Sequence, residues 1–265
     1  MQILRAMLLG LIQGFSEFMP VSSSGNLFFF SNLFNIEAYT LSFDILMHTA
    51  CLGALIFIYF RDLRAMSENL TSHFNKMVAA GIAPAFVLSV IFQTKIDGFF
   101  LSSKAIGLCF IFTGAVLFYE TMYSPGKKKF KNMNIKDALI IGAFQAVGCI
   151  PAVSRTGMAV CGSLQRGFNG KTALKYAYIM SIPAMLGRIF ADLMMIYNNT
   201  DSAVVDVFGA IPMILGFIMA FGASVVAIRL MQRIAARGKF RPFAYYLWAM
   251  GIITLIDMLA LNRIF

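Results

Sequence analysis

Six stretches, residues 40–60, 78–94, 104–123, 173–196, 207–228 and 243–262, each run for roughly twenty residues with almost no charge. A helix of that length rises far enough to cross the ~30 Å hydrocarbon layer of a bilayer. Backbone polar groups in lipid must be satisfied internally, so only helices and closed barrels span it. Barrel strands alternate apolar and polar at every second residue, and these runs do not. Composition agrees: 59% of the 265 residues are hydrophobic and 13% charged, against about a quarter charged in soluble domains. The sequence therefore predicts an all-α integral membrane protein. No small-residue cleavage site follows the first apolar segment, which is read as part of the fold.

The net charge of +10 would suggest nucleic acid in a soluble protein. In a membrane protein it reads as Lys and Arg gathered in cytoplasmic loops, with no nucleic-acid partner. The four cysteines, Cys51, Cys109, Cys149 and Cys161, lie in apolar surroundings without a CxxC pair. They are expected to be small packing residues.

Two further apolar segments, 7–34 and 138–165, are broken by polar centres containing Pro and Gly. They resemble each other: "LLGLIQGFSEFMPVSSSG" beside "IIGAFQAVGCIPAVSRTG". Gln13 and Gln145 each stand three residues after a glycine and twelve before another, Gly25 and Gly157, with Pro20 or Pro151 between. This register sets Ser22, Ser23 and Ser24 against Ser154, Arg155 and Thr156. Three plain spans follow each segment, dividing the chain into halves 1–125 and 126–265.

Charge locates the broken segments. If each enters and leaves on one side while the plain spans cross, sixteen Lys and Arg share one side and four the other. If both cross, the tally is ten against ten. The positive-inside bias favours the first arrangement. Crossing by the first segment alone also keeps a bias, so the charges exclude crossing by 138–165 and the likeness extends this to 7–34. Each half then holds one re-entrant hairpin plus three transmembrane helices. Three crossings turn the second half over, giving two inverted-topology repeats, an architecture whose sites form where broken helices meet. The expectation is a polar pocket built by both hairpins.

Gln13 and Glu17 are one helical turn apart and share a face. A carboxylate at membrane depth needs a cavity, a metal or a cation, or else bridges neighbouring helices. The serines after Pro20 are good N-caps for a second half-helix, whose free N–H groups suit an anion. "AVSRTG" repeats this arrangement and adds Arg155, whose guanidinium fork matches phosphate. The set suggests a phosphate ester with a lipid tail. Ser serves as nucleophile, Glu as base or metal ligand, and Arg as charge stabiliser. The bland alternative is serines that only cap helices and an Arg155–Glu17 pair that is only structural.

These residues also carry a resemblance. "GLIQGFSEFMPVSSSGN" is similar to the (E/Q)xxxE and PVSS(T/S)GH signature of the undecaprenyl-diphosphatase family, and "IPAVSRTGMAV" resembles its second signature, PGxSRSGxT. "FDILMHTACLGALIFIYFRDL" and "GFNGKTALKYAYIMSIPAMLG" resemble the stretches after each signature. The resemblance implies hydrolysis of a C55 polyprenyl diphosphate lipid to the monophosphate, recycling the carrier lipid for cell-wall synthesis. It further implies a divalent cation, Mg or Ca, and a multi-pass protein of the bacterial inner membrane whose site opens to the periplasmic side. Carried over by position, Ser23 is the nucleophile and Glu17 and Gln13 the acidic-motif residues, Glu17 being also the metal ligand. Ser154 and Arg155 bind phosphate, with Ser22, Ser24, Gly25, Asn26 and Thr156 lining the substrate. A lipid-phosphate or anion transporter of the same fold, or an inactive lipid-binding homologue, is the alternative. No oligomeric state is assigned.

The sequence departs from the signature at its histidine, which is Asn26, and at Ala152 and Ala159. Asparagine hydrogen-bonds phosphate but shuttles no proton near neutral pH. Asp44 and His48, one turn apart on the next span, supply an imidazole for the pocket or else a packed, hydrogen-bonded histidine. Arg188 and Asp192 are expected to pair within their helix. "KKKFK" is expected to meet the anionic cytoplasmic leaflet.

Overall fold

A computed structural model describes residues 2–34, 36, 41–92, 103–122, 126–198 and 208–261. Ten α-helices follow one another among them: α1 Gln2–Phe18, α2 Ser23–Leu33, α3 Leu41–Glu68, α4 His73–Phe92, α5 Ser103–Glu120, α6 Ile135–Val147, α7 Arg155–Gln165, α8 Gly170–Asn198, α9 Ala210–Arg237 and α10 Arg241–Ile256. No strand occurs among the described residues. Four helices are long and apolar enough to cross a membrane: α3, α8, α9 and α10 with its π-helical extension to Leu259. α5 is apolar but shorter. The expected spans coincide with α3, α4, α5, α8, α9 and α10, while their ends at residues 40, 93–94, 123, 207 and 262 lie outside the described residues. α3 and α9 run well past the apolar stretches, to Glu68 and Arg237, and α8 ends two residues beyond its stretch, at Asn198. Hydropathy marks the lipid crossing; the helix itself continues until a cap stops it, here Gly238 in the left-handed region after α9.

The broken segments form two helix–turn–helix units, α1–α2 and α6–α7. At 11 residues, α2 and α7 are about 16 Å long, well short of the hydrocarbon thickness. Their starts are built alike. Ser22 caps α2 by accepting from the Gly25 N–H, and Ser154 caps α7 by accepting from the Gly157 N–H. α1 packs closely along α9, and α6 along α4. Gly10 of α1 lies against the Gly216 backbone of α9, and Gly142 of α6 against the Gly81 backbone of α4, so close that a Cβ at either would strike a carbonyl oxygen. Small residues let backbones approach this way in lipid, where packing replaces the hydrophobic drive. α10 packs on α5. Phe18 and Tyr178 meet edge to face in the largest apolar cluster, Phe110, Met158 and Leu247 lie in a second, and Leu9, Phe43 and Phe208 in a third.

Lys128 of the basic run does not face outward with its neighbours. Its ammonium pairs with Asp137 and sits 4.7 Å from the Phe168 ring centre. Asp137 is fully buried, closes a capping box with Asn134, and accepts from Arg166 Nε at 2.9 Å. Burial raises the Asp137 pKa, but the bonds from Lys128, the Asn134 N–H and Arg166 outweigh it, leaving the carboxyl below its ordinary range. Its contribution is therefore complete above the unfolded aspartate value of about 3.9 and fades as pH falls further. Asp137→Ala strands two cations and is expected to cost on the order of 2 kcal/mol, read as a lower melting temperature in detergent with the acid-side loss of stability flattened. Three cysteines are buried as expected; Cys149, on the α6–α7 turn, is exposed instead. The turn lifts it out of the helix packing that its apolar neighbours suggested.

Candidate active site

The two hairpin tips meet at Glu17. α1 ends one residue later, and its last turn turns Gln13 and Glu17 to the same side. Glu17 Oε1 accepts from Arg155 Nη2 at 2.5 Å, and Oε2 accepts from Ser23 Oγ at 2.6 Å and from Gln13 Nε2 at 3.2 Å. The carboxylate side chain is 4% exposed and the arginine 20%. A buried charge is tolerable only when paired and hydrogen-bonded, and here three donors converge on one carboxylate. Arg155 Nε is buried without a hydrogen-bond partner, an unused donor beside the first turn of α7.

The remaining signature residues tie the tips together. Thr156 Oγ1 donates to the Glu17 carbonyl at 3.2 Å, and the Ala152 N–H donates to Ser24 Oγ at 3.1 Å. The Ser154 N–H reaches Thr113 Oγ1 of α5 at 3.4 Å, and Tyr178 Oη of α8 donates to the Phe18 carbonyl at 2.8 Å. Ser22, Ser154 and Thr156 are buried, whereas Ser24 is exposed. Gly25 lies against Phe110; a Cβ there would sit 2.7 Å from the ring, so any larger residue would push α2 off α5. The second glutamine diverges from its counterpart: Gln145 Nε2 donates to the Met180 carbonyl at 3.3 Å and takes no part in the cluster.

Asn26 is buried, and the protein engages both ends of its amide. Nδ2 donates to the Val21 and Ser22 carbonyls at 2.8 Å each, while Oδ1 accepts from Tyr246 Oη of α10. The position expected to bind substrate thus faces the hairpin backbone. Tyr246, Thr113 and Tyr178 were not legible as site residues: each lies in an apolar span outside both signature motifs, far from Glu17 in sequence.

His48 reaches the cluster. Its Nε2 is 3.5 Å from Gln13 Nε2, and its Nδ1 is 2.9 Å from the Asp44 carbonyl oxygen and 3.4 Å from the Asp44 carboxylate. Nδ1–H donates to that carbonyl, which turns Nε2 toward the Gln13 amide. Asp44 is held in turn by Arg188 at 3.2 Å, and Arg188 pairs with Asp192 at 2.9 Å as expected, so a polar chain extends from Glu17 to α8.

A divalent cation is tested by the donors present. Gln13 Oε1 is buried without a hydrogen-bond partner, while the amide turns Nε2 to the Glu17 carboxylate. No group of three or more His, Cys, Asp or Glu gathers among the described residues. With the Gln13 amide turned over, one carboxylate and one amide oxygen would suit a hard cation that takes its other ligands from water and substrate phosphate, as Mg²⁺ does.

An open apolar groove of about 570 Å³ runs beside the second tip, lined by Phe112, Val116, Ala143, Phe144, Val147 and Met158 among others. Met158 is one turn along α7 from Arg155.

The family model described as bacitracin resistance protein BacA matches residues 6–253. An undecaprenyl-diphosphatase of Carboxydothermus hydrogenoformans is 32% identical over 97% of both chains. Undecaprenyl-diphosphatase 3 of Bacillus cereus is 30% identical over the full length of both, and an undecaprenyl-diphosphatase of Halothermothrix orenii is 30% identical over 97% of this chain and 98% of its own. A match over nearly the whole chain, joined to four membrane-length helices, makes this a membrane protein of the bacitracin resistance protein BacA family.

Proposed function

We propose that the chain hydrolyses undecaprenyl or a similar polyprenyl diphosphate to the monophosphate and phosphate, recycling a carrier lipid at the bacterial inner membrane. The observation that carries this reading is the convergence of Ser23, Arg155 and Gln13 on the buried Glu17 carboxylate where two half-helices begin. Arg155, with its unused Nε–H, and the free N–H groups opening α2 and α7 bind the diphosphate oxygens. Either Ser23 Oγ, hydrogen-bonded to Glu17, passes its proton to that carboxylate and attacks the terminal phosphorus, or it orients a water that passes its proton to Glu17 and attacks there. The anhydride P–O bond breaks and the lipid monophosphate leaves; where Ser23 is the nucleophile, a water then cleaves the phosphoseryl P–O bond, frees phosphate and restores the hydroxyl. Glu17 and Gln13 would hold a Mg²⁺ or Ca²⁺, which supplies charge neutralisation when bound. The apolar groove beside the second tip suits an isoprenoid tail.

The likeness of the halves supports two inverted repeats, 1–125 and 126–265. Gly10 and Gly142 share a register position and touch glycines of α9 and α4, themselves the matching helices of opposite halves. With the charge bias, this favours a site open to the periplasmic side.

The test is phosphate release by the purified chain from a polyprenyl diphosphate with Mg²⁺ or Ca²⁺. Release that EDTA abolishes is expected, and absence of release with either cation would refute the reading. His48 is the base next to the acidic motif in this chain. His48→Gln is expected to lower kcat about tenfold, with the melting temperature unchanged. An unchanged kcat would return His48 to a packing role.

A further inference from the structure

The turn that delivers Ser23 is strained. Ser22, the residue immediately before it, has φ +66°, a region that costs a side-chain-bearing residue free energy unless its surroundings hold it there. Asn26 holds it with main chain and side chain: its backbone N–H donates to the Ser22 carbonyl at 3.1 Å. Its amide donates to the carbonyl before the strained residue, Val21, and to the carbonyl of the strained residue itself. Those two bonds close the turn and fix where Ser23 leaves it. Asn26 must then place Oδ1 on its far side, and that buried acceptor would be unsatisfied without Tyr246 Oη of α10. The hydroxyl of a residue 220 positions away thus completes a clamp of three groups: Tyr246, Asn26 and the turn backbone.

We propose that Tyr246 is a positioning residue that acts through Asn26 to hold Ser23 within reach of Glu17. The proposal rests on the hydrolytic reading of the site. It also gives Asn26 a purpose that needs no proton transfer: two N–H donors and one acceptor in a fixed plane, which is what this turn requires. Neutral imidazole has one donor and one acceptor, so in this chain a histidine side chain would bond only one of the two carbonyls, and only the Ser22 carbonyl has the backbone N–H of residue 26 as well.

Tyr246→Phe keeps the ring and removes only the hydroxyl. It is expected to lower kcat for polyprenyl diphosphate about tenfold, with KM within about twofold, as loss of one buried hydrogen bond permits. Asn26→Ala is expected to lower kcat further, and adding Tyr246→Phe to it should change nothing more, because Tyr246 acts only through the amide. Independent, multiplying effects would overturn the proposal. A second readout needs no turnover. In a Cys149→Ser background, which removes the exposed thiol, Ser23→Cys is labelled with a maleimide. Tyr246→Phe is expected to raise the labelling rate about tenfold, and so is Asn26→Asp, which keeps an acceptor for Tyr246 but loses both donors. Labelling unmoved by both substitutions would sink the clamp even in an active protein. Should the unaltered chain release no phosphate, the hydrolytic reading falls while the labelling still decides the clamp.

Discussion

Arg155→Ala is expected to lower kcat/KM for polyprenyl diphosphate hydrolysis about 1000-fold, the scale seen when a guanidinium is taken from a phosphoryl-transfer site. Two effects combine. The diphosphate loses its fixed fork of donors, and Glu17, 4% exposed, loses the cation 2.5 Å from its carboxylate. Arg155→Lys should recover only part of the rate, because a point charge cannot pair with the carboxylate and keep a second donor in plane for phosphate. Phosphate release before and after each substitution, with the melting temperature in detergent as the check on folding, measures both. Full activity in Arg155→Ala would reduce the pair to a structural bridge between α1 and α7.

Ser23→Ala is expected to cost about as much, about 1000-fold in kcat. Ser23 Oγ donates to Glu17 Oε2 at 2.6 Å, so hydroxyl and carboxylate work as one unit, and removing the hydroxyl leaves the carboxylate nothing to deprotonate but water. A loss of only about tenfold would assign the attack to a water that Ser23 orients. Unlike the removal of Arg155, this change leaves the Glu17 carboxylate its cation and its Gln13 donor, so it should cost less stability.

Much of the site was legible because it follows from local periodicity. Gln13 and Glu17 share a face through their spacing alone, and Ser22 and Ser154 cap their helices at matching places in the register that sequence likeness predicted. The meeting of Glu17 with Arg155 was legible as well, since a carboxylate at membrane depth needs a cation and the second hairpin carries one at its tip. Asn26 was not. Its amide could face a substrate or its own backbone, and the choice depends on Tyr246, a residue that one apolar helix shows as unremarkable. His48 was open for the same reason: the direction of its ring is set by the path of α3 past α1, which periodicity does not give. Lys128 read as one more cation of a basic run until Asp137 and Phe168 were seen beside it. Helix ends differ in both directions, α3 and α9 overrunning their apolar stretches and α5 stopping short at Glu120, because hydropathy records where lipid begins and not where hydrogen bonding ends.

The central claim is that two hairpin tips compose one hydrolytic site. Its most direct measurement uses the purified chain in liposomes, with labelled polyprenyl diphosphate in the bilayer and Mg²⁺ or Ca²⁺ present. Free phosphate and movement of the labelled lipid between leaflets are followed together. The account predicts phosphate release at equal moles with lipid monophosphate, lost on substitution of either Ser23 from the first tip or Arg155 from the second. Lipid movement without phosphate release would contradict it and make the same pocket a transporter's.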